Sequence, residues 1–514
     1  MGKHLQLASP MRAAFAVALA SILGCGYALR ADSPATGASE TPKAAAPDSA
    51  LRGLGGHVLP ALARATRIPL AASTRAGGPG PTQADEPITL TVVLNREDEA
   101  GFQKFLFDVY DPASPIFRHW LTPLEQADRF GPSAMAYDSV LRYVEAKGFH
   151  LVQGSVNRST LTVAGTRGIT RSAFGVTLDD YELSGRRFFA NDHDPDLPAA
   201  LAPHVKAIVG LSSLARPSSP APLLAQQACF GITDQVKLFL CIYPYVAAGG
   251  AIGLFCGFFA EILILNAATV AGLSIFATEL VMQFYPGPSC LSFLFSSPEA
   301  LLKTSTPLPG AGQTIGLVEY DSYKASDVAD FLALYGFPST QINQITDVKV
   351  AGGAALGAGE TEVLLDIDVV SMFAAGANVR VYEAPFSTSF QTLFSQMMDD
   401  GVSVISNSWT YCEDQTTLAD VQSLDSILAT AAGAGMSVLN GSGDSGSTCF
   451  DGSPSTAGVP ADSPHATAVG GSSLGVGPGA TRGVETWWNG HGGFGVSRFF
   501  SRPSYQNGFT SAAA

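Results

Sequence analysis

Val402–Gly446 reads VSVISNSWTYCEDQTTLADVQSLDSILATAAGAGMSVLNGSGDSG. VSVISNSW is a short apolar run with β-branched residues, so it reads as a strand. TLADVQSLDSILATAAGAG carries helical periodicity, and MSVLNGSGDSG reads as a strand again. Strand, helix, strand is the unit of a parallel sheet, because parallel neighbours need a crossover. The same alternation extends outward. QTIGLVEY, VKVAGG, NVRVYEAP and HATAVGGSS read as strands, while SDVADFLALYG, ETEVLLDIDVVSMFAAGA and SFQTLFSQMMDDG read as helices. Residues 310–514 are therefore expected to form an α/β domain with helices on both faces of a parallel sheet. Sites in such sheets lie at the carboxyl ends of strands. The polar residues there are Ser408 with Trp409, and Asp444 with Ser445.

One of those helices raises a question. Glu360–Asp368 reads ETEVLLDID, four carboxylates in nine residues, among Val363, Leu364, Leu365 and Ile367. No Lys or Arg follows before Arg380. Glu362 and Asp366 are four residues apart and share a helix face, where like charges repel. A solvated acidic stripe would explain the pair on an ordinary amphipathic helix, but these flanks are too apolar for one. Two carboxyls held close have separated pKa values, one able to hold a proton and one not, which suits acid–base chemistry at acidic pH.

The chain has 514 residues, 46% hydrophobic and 14% charged, with a net charge of −15 and 54 Gly. That length allows two or three domains. The acidic balance offers no basic stripe for nucleic acid. Lys3 and Arg12 precede AAFAVALASILGCGYAL, a basic then apolar start that reads as an export signal over residues 1–31. ILGC also resembles a lipobox, which would make Cys25 a lipid anchor. Residues 32–86 are Ala/Pro/Ser/Gly-rich and read as a low-complexity linker. Residues 87–213 hold strands at ITLTVVLN, FHLVQGS, TLTVAGT and FGVTLDDYEL, with helices at EDEAGFQKFLFDVYD and MAYDSVLRYVEAKG, an α+β unit. Residues 214–309 form a hydrophobic insert or linker. Within it 238–278 is nearly uncharged, so a membrane contact competes with a helical insert packed on the protein. The seven cysteines include no CxxC pair, which speaks against zinc. An exported chain favours disulfides. Cys412 and Cys449 are the favoured pair, as both follow strands of one domain.

Two short motifs compete for attention. GDSGS (Gly443–Ser447) has the form of the nucleophile loop of chymotrypsin-like proteases, but that fold is all-β. Gly471–Gly475 matches G-x-S-x-G, yet the elbow needs a later acid and histidine, and only His491 follows. The order of segments is more specific. GAGQTIGLVEY, ETEVLLDID, SNSW, SGDSGST, VPADSPHATAVGG, ETWWN and GGFGVSRFFSRPSYQ together resemble the sedolisin family, the serine-carboxyl peptidases. HWLTPLEQADRFGPS, NRSTLTVAGT, AFGVTLDDYE and VKAIVGLSS resemble the pro-kumamolisin activation domain.

The resemblance implies a subtilisin-like parallel sheet preceded by a ferredoxin-like α+β prodomain that inhibits the peptidase in cis. It implies that Glu362 is the general base, Asp366 its supporting acid, and Asp444 a protonated donor to the oxyanion. A carboxylic base fits acidic pH, where histidine would be protonated. Ser408 and Trp409 match the strand along which a peptide substrate pairs. Glu360 and Asp368 are peripheral. The family's nucleophile lies in GTSxxxP, and no such motif occurs in these residues. Ser445 sits beside the oxyanion acid and is not its substitute. The family's calcium loop, farther downstream still, is also absent from the sequence, so no cofactor is expected. The expectation is a C-terminally truncated precursor of an acid endopeptidase, inactive as it stands. The alternative is a non-catalytic peptide-binding or inhibitory protein.

Overall fold

The computed structural model describes residues 50–69, 83–218, 308–477, 481–487 and 492–508. The signal and lipid-anchor readings, Cys25 included, and the uncharged segment 238–278 lie outside the described residues, as does His491. Among the described residues no helix is long and apolar enough to cross a membrane.

Residues 50–69 fall in the stretch expected to be a loose linker, yet they are built into the fold. β1 (Leu51–Gly53) and β2 (Thr66–Arg67) flank a short turn that buries Leu59 and Ala61 beside Tyr181 and Phe188. The few apolar residues of this stretch are enough to anchor it despite its composition. His57 is buried with them. Its Nε2 accepts from the Ile208 amide at 3.0 Å while Nδ1 meets the Leu54 carbonyl at 2.8 Å. Burial lowers its pKa, so the ring is neutral.

The chain continues through β3 (Pro87–Leu94), α1 (Glu99–Tyr110), α2 (Pro123–Arg129), α3 (Ala134–Ala146), β4 (His150–Gly154), β5 (Thr160–Thr166) and α4 (Arg167–Phe174). Then come β6 (Leu178–Leu183), β7 (Arg186–Asn191), β8 (Asp196–Pro198) and β9 (Val205–Val209). Side chains cap the helices where the sequence offers them: Asp98 for α1, a Thr122–Glu125 capping box for α2, and Ser133 for α3. The main sheet has the order β4-β5-β3-β9, all antiparallel, which is the ferredoxin-like arrangement. β8 pairs with β1, and β6 lies between β2 and β7.

Strand β3 serves two cores because side chains alternate across a sheet. Leu90, Val92 and Leu94 pack on the domain's own helices with Val140 and Val144. Val93, with Ala207 of β9, points the other way and joins the large core of the second half.

That second half is built from β10 (Thr314–Glu319), α5 (Ala325–Leu334), β11 (Ile345–Lys349), α6 (Glu360–Phe373), β12 (Asn378–Glu383), α7 (Phe390–Asp399) and β13 (Val404–Asn407). β14 (Tyr411–Cys412), α8 (Leu418–Gly433), β15 (Ser437–Gly441), β16 (Gly458–Val459) and β17 (Thr467–Val469) follow. A hairpin of β18 (Ser472–Gly477) and β19 (Thr481–Trp487) comes last. Six strands form one parallel sheet in the order β11-β12-β10-β13-β15-β17. β10 is its centre, and its register with β12 and β13 places Glu319 opposite Glu383 and one step beyond the Val318–Asn407 pair.

Candidate active site

Central strand β10 and helix α6 hold each other at the site. The amide of Gly359, just before α6, donates to Asp321 Oδ2 at 2.7 Å. A carboxylate at the carboxyl end of β10 therefore caps a helix that has no side-chain cap of its own. The approach is so close that a Cβ on Gly359 would lie 2.8 Å from the Trp409 ring and 2.9 Å from Asp321. Glycine is required there by space.

Of the four carboxylates on α6, the structure separates two from two. Glu360 pairs with Lys324 at 2.9 Å, a partner upstream rather than downstream. Asp368 is buried near Tyr335, whose pKa is raised first by burial and then by that charge. Glu362 is buried, and with Asp366 it belongs to a cluster around Glu319 at the end of β10. Glu319 is fully buried, and its Oε2 accepts the indole N–H of Trp409 at 2.9 Å. The Ser408 hydroxyl donates across both oxygens of Asp366, at 2.9 and 3.0 Å.

The electrostatics assign the proton. Burial pushes the Glu319 pKa well above the carboxylic range, the nearby Asp366 and Glu362 charges add to this, and the Trp409 bond only partly offsets it. Burial raises Asp366 to about 6, against hydrogen bonds from Ser408 and Glu319 that pull it down. Glu319 therefore holds the shared proton and Asp366 is the better anion of the two. Glu383, next to Glu319 in the sheet, is buried too but takes the Lys349 ammonium.

Asp444 lies three residues past the end of β15, where β13 and β15 register at Asn407–Asn440. It is partly buried, and burial raises its pKa to about 6. It is thus neutral under acidic conditions and able to donate a hydrogen bond. Cys412 and Cys449 form a disulfide with a Cα–Cα distance of 5.8 Å, tying β14 to the loop that follows Asp444.

Ser408 and Trp409 lie beyond the end of β13 and present their side chains inward. The Trp409 ring is buried against Tyr320 and Phe386, with centroids 5.7 and 5.8 Å apart. The backbone that pairs with an extended segment is that of Thr410. Its amide donates to the Ser218 carbonyl at 3.1 Å, and the Ser218 amide returns a bond of 3.0 Å, in antiparallel fashion. Among the described residues no group of three His, Cys, Asp or Glu side chains is arranged to hold a metal.

Three residues that build this candidate site are not marked by the sequence pattern. Glu319 ends an ordinary strand pattern, Asp321 follows it in a loop, and Thr410 acts through its backbone. The nearest signal was the acidic ending of GLVEYD, an apolar strand closing on two carboxylates.

A parallel sheet in this order, with carboxyl groups gathered at the carboxyl end of its central strand, defines a subtilisin-like α/β peptidase fold with an acid-built site. Residues 76–214 match the family model of the Pro-kumamolisin activation domain. Xanthomonalisin of Xanthomonas sp. (strain T-22) is 33% identical over 132 residues, 26% of this chain but only 16% of that protein. Kumamolisin of Bacillus sp. (strain MN-32) is 27% identical over 448 residues, 83% of this chain and 70% of that protein. Among solved structures, Pseudomonas sedolisin, a serine-carboxyl proteinase complexed with two molecules of pseudo-iodotyrostatin, is 25% identical with a TM-score of 0.33. That match covers 38% of this chain and 61% of the other. Residues 76–214 carry the activation domain, and the chain is similar over 83% of its length to kumamolisin and over 82% to sedolisin of Pseudomonas sp. (strain 101).

Proposed function

We propose that the chain is the precursor of an exported endopeptidase that cuts proteins and peptides at acidic pH. Glu362 serves as general base toward a serine hydroxyl, Asp366 orients it and shares its charge, and protonated Asp444 donates to the developing oxyanion. Glu319 and Trp409 position Asp366. The observation that carries this reading is the line of contacts from Trp409 through Glu319 and Asp366 to Ser408 at the end of the central strand. Such a line has no structural need for acids, and it matches the i, i+4 pair in ETEVLLDID.

The amino-terminal domain is the inhibitor in cis. Its last described residue, Ser218, occupies the backbone edge at Thr410 that a substrate would use. Cleavage between residues 214 and 309 would free that edge. The basic and apolar start of the chain supports export. The finer proposal concerns residues 1–514 as a polypeptide. They hold no GTSxxxP motif, so they bring the acids without the hydroxyl those acids would activate. Removing the nucleophile from a catalytic triad removes most of its rate.

The test is hydrolysis of a peptide library at about pH 3–5, near ordinary carboxyl pKa values. Two proteins are compared: residues 1–514, and a chimera extended by the kumamolisin segment that contains GTSxxxP. The chimera is expected to cleave and residues 1–514 are not. Glu362→Gln and Asp444→Ala in the chimera should each abolish most of the activity. Cleavage by residues 1–514 that survives Glu362→Gln would place the active site elsewhere.

A further inference from the structure

The segment that leaves the amino-terminal domain does more than pair at Ser218. Two residues earlier, the Arg216 guanidinium lies over the Phe386 ring, 4.4 Å from its centroid. Among the described residues Arg216 forms no salt bridge, so the ring is what seats it. It sits there although Arg186 is near. Burial, and then the Arg216 charge, lower the Arg186 pKa. Phe386 is 36% exposed although it packs on two buried aromatics. Its inner face stacks on Tyr320 at 5.6 Å, and it meets Trp409 edge-on at 5.8 Å. Both neighbours are fixed by hydrogen bonds, Tyr320 to the Thr388 carbonyl at 3.1 Å and Trp409 to Glu319 at 2.9 Å. Phe386 is thus a rigid platform joined directly to the carboxyl cluster. Ala215, Arg216 and Pro217 lie with it along the wall of a cavity of about 560 Å³.

We propose that Phe386 is the floor of an outer substrate subsite. It selects a flat cationic side chain, Arg above Lys, two residues before the substrate residue that pairs with Thr410. Residues 215–218 occupy the cleft as a built-in copy of such a substrate. A guanidinium stacks on an aromatic face and matches it in shape, whereas an ammonium offers only a point charge. The preference rests on the reading of Thr410 as the substrate-pairing backbone.

Hydrogen exchange on the full chain tests both levels separately, by following the Thr410 amide that Ser218 covers. In the unchanged protein this amide should be protected. Arg216→Ala and Phe386→Leu should each speed its exchange on the order of 3-fold, the size of an exposed cation–π contact. The double variant should exchange no faster than either single one, because both remove one interaction. Phe386→Trp should preserve the protection, and Arg216→Lys should fall between Arg and Ala. Amides of β3 and β5 report whether each variant keeps its fold. Rapid exchange at Thr410 in the unchanged chain would refute the occupied-cleft reading itself. Protection that is insensitive to Arg216→Ala and Phe386→Leu, or additive between them, would overturn the subsite while leaving that reading intact.

Discussion

Two surfaces of the peptidase half bury polar groups by opposite rules. Where α7 meets the amino-terminal domain most of the groups are neutral; Asp399 at its end is the exception, a carboxyl that accepts the Val156 and Asn157 amides at 2.6 and 3.2 Å and whose pKa burial raises to about 6. Thr392 Oγ1 contacts Thr91 at 3.0 Å and Thr162 at 2.7 Å, Ser389 donates to Thr91 at 2.9 Å, and Gln153 donates to Gln396 at 2.7 Å. At the carboxyl end of β10 the groups are acids set against one another, Glu319 beside Asp366 and Glu362. A neutral hydrogen bond exchanges for water at a net gain of about 1 kcal/mol. The hydroxyl and amide part of this surface separates without stranding a charge and responds weakly to pH. Close carboxyls cannot all ionise, so the site is set by pH. The difference places the docking surface and the carboxyl cluster on separate controls within one core.

Arg96 is the buried cation on the docking surface, and changing it breaks the comparison hardest. It is buried between α1 and α8, over the Phe102 ring at 3.7 Å. It donates to the Ser426 carbonyl at 2.5 Å and the Thr430 hydroxyl at 2.7 Å. Arg96→Met keeps most of the volume but leaves those acceptors without a donor, at a cost of roughly 2–4 kcal/mol. Urea unfolding at fixed pH measures it. A loss below about 1 kcal/mol, the worth of one neutral bond, would mean the hydroxyl network alone holds the surface.

The site predicts a pH dependence with a definite sign. Asp366 in the fold has its pKa raised to about 6, above the ordinary value of an unfolded aspartate. A group raised in this way lends its full stability below about pH 4, where both states are protonated. That stability is lost as pH rises through 6. Asp444 shares the same direction and value, and Asp462, raised by burial and by the neighbouring Glu413, extends the loss to about 9. The melting temperature should fall steadily from pH 4 to pH 8. Asp366→Asn should flatten the segment between 4 and 6, a contribution on the order of 2–3 kcal/mol. An unchanged slope in that variant would show that Asp366 ionises freely.

The alternation from QTIGLVEY to HATAVGGSS was readable because period and length separate buried parallel strands from helices; five of the six strands of the sheet fall within those runs, and β11 begins three residues earlier than its run. The Glu362–Asp366 pair was readable because helical spacing is local. Glu319 was not. A glutamate at the end of an alternating strand looks solvated until β12 and β13 flank it, and that is a matter of sheet order. The pairing of Thr410 joins residues 192 apart through main-chain atoms, which leave no trace in side-chain pattern. Residues 50–69 were misjudged as linker because composition averaged over 32–86 hides the few apolar residues, such as Leu59, that dock them.

The smallest prediction sharpens that last point. Arg64 lies in this misjudged segment and reaches the disulfide loop of the peptidase half. It pairs with Asp451 at 2.8 Å and approaches Asp414 at 3.8 Å. Its side chain is 45% exposed, so water and salt screen the pair. Arg64→Ala should therefore cost less than about 1 kcal/mol and lose even that at high ionic strength. Asp414 does not depend on it, because Arg498 also pairs there. Asp451 does, since its other bonds come from its own loop, at Ser453. Urea unfolding at low and high salt, run for Arg64→Ala and Asp451→Asn alone and together, measures the coupling. Equal single effects and a double effect no larger would show that Arg64 and Asp451 act through one shared interaction. A cost well above 1 kcal/mol that persists in high salt would mean that Arg64 is shielded, and that residues 50–69 bind the peptidase half as tightly as Arg96 does.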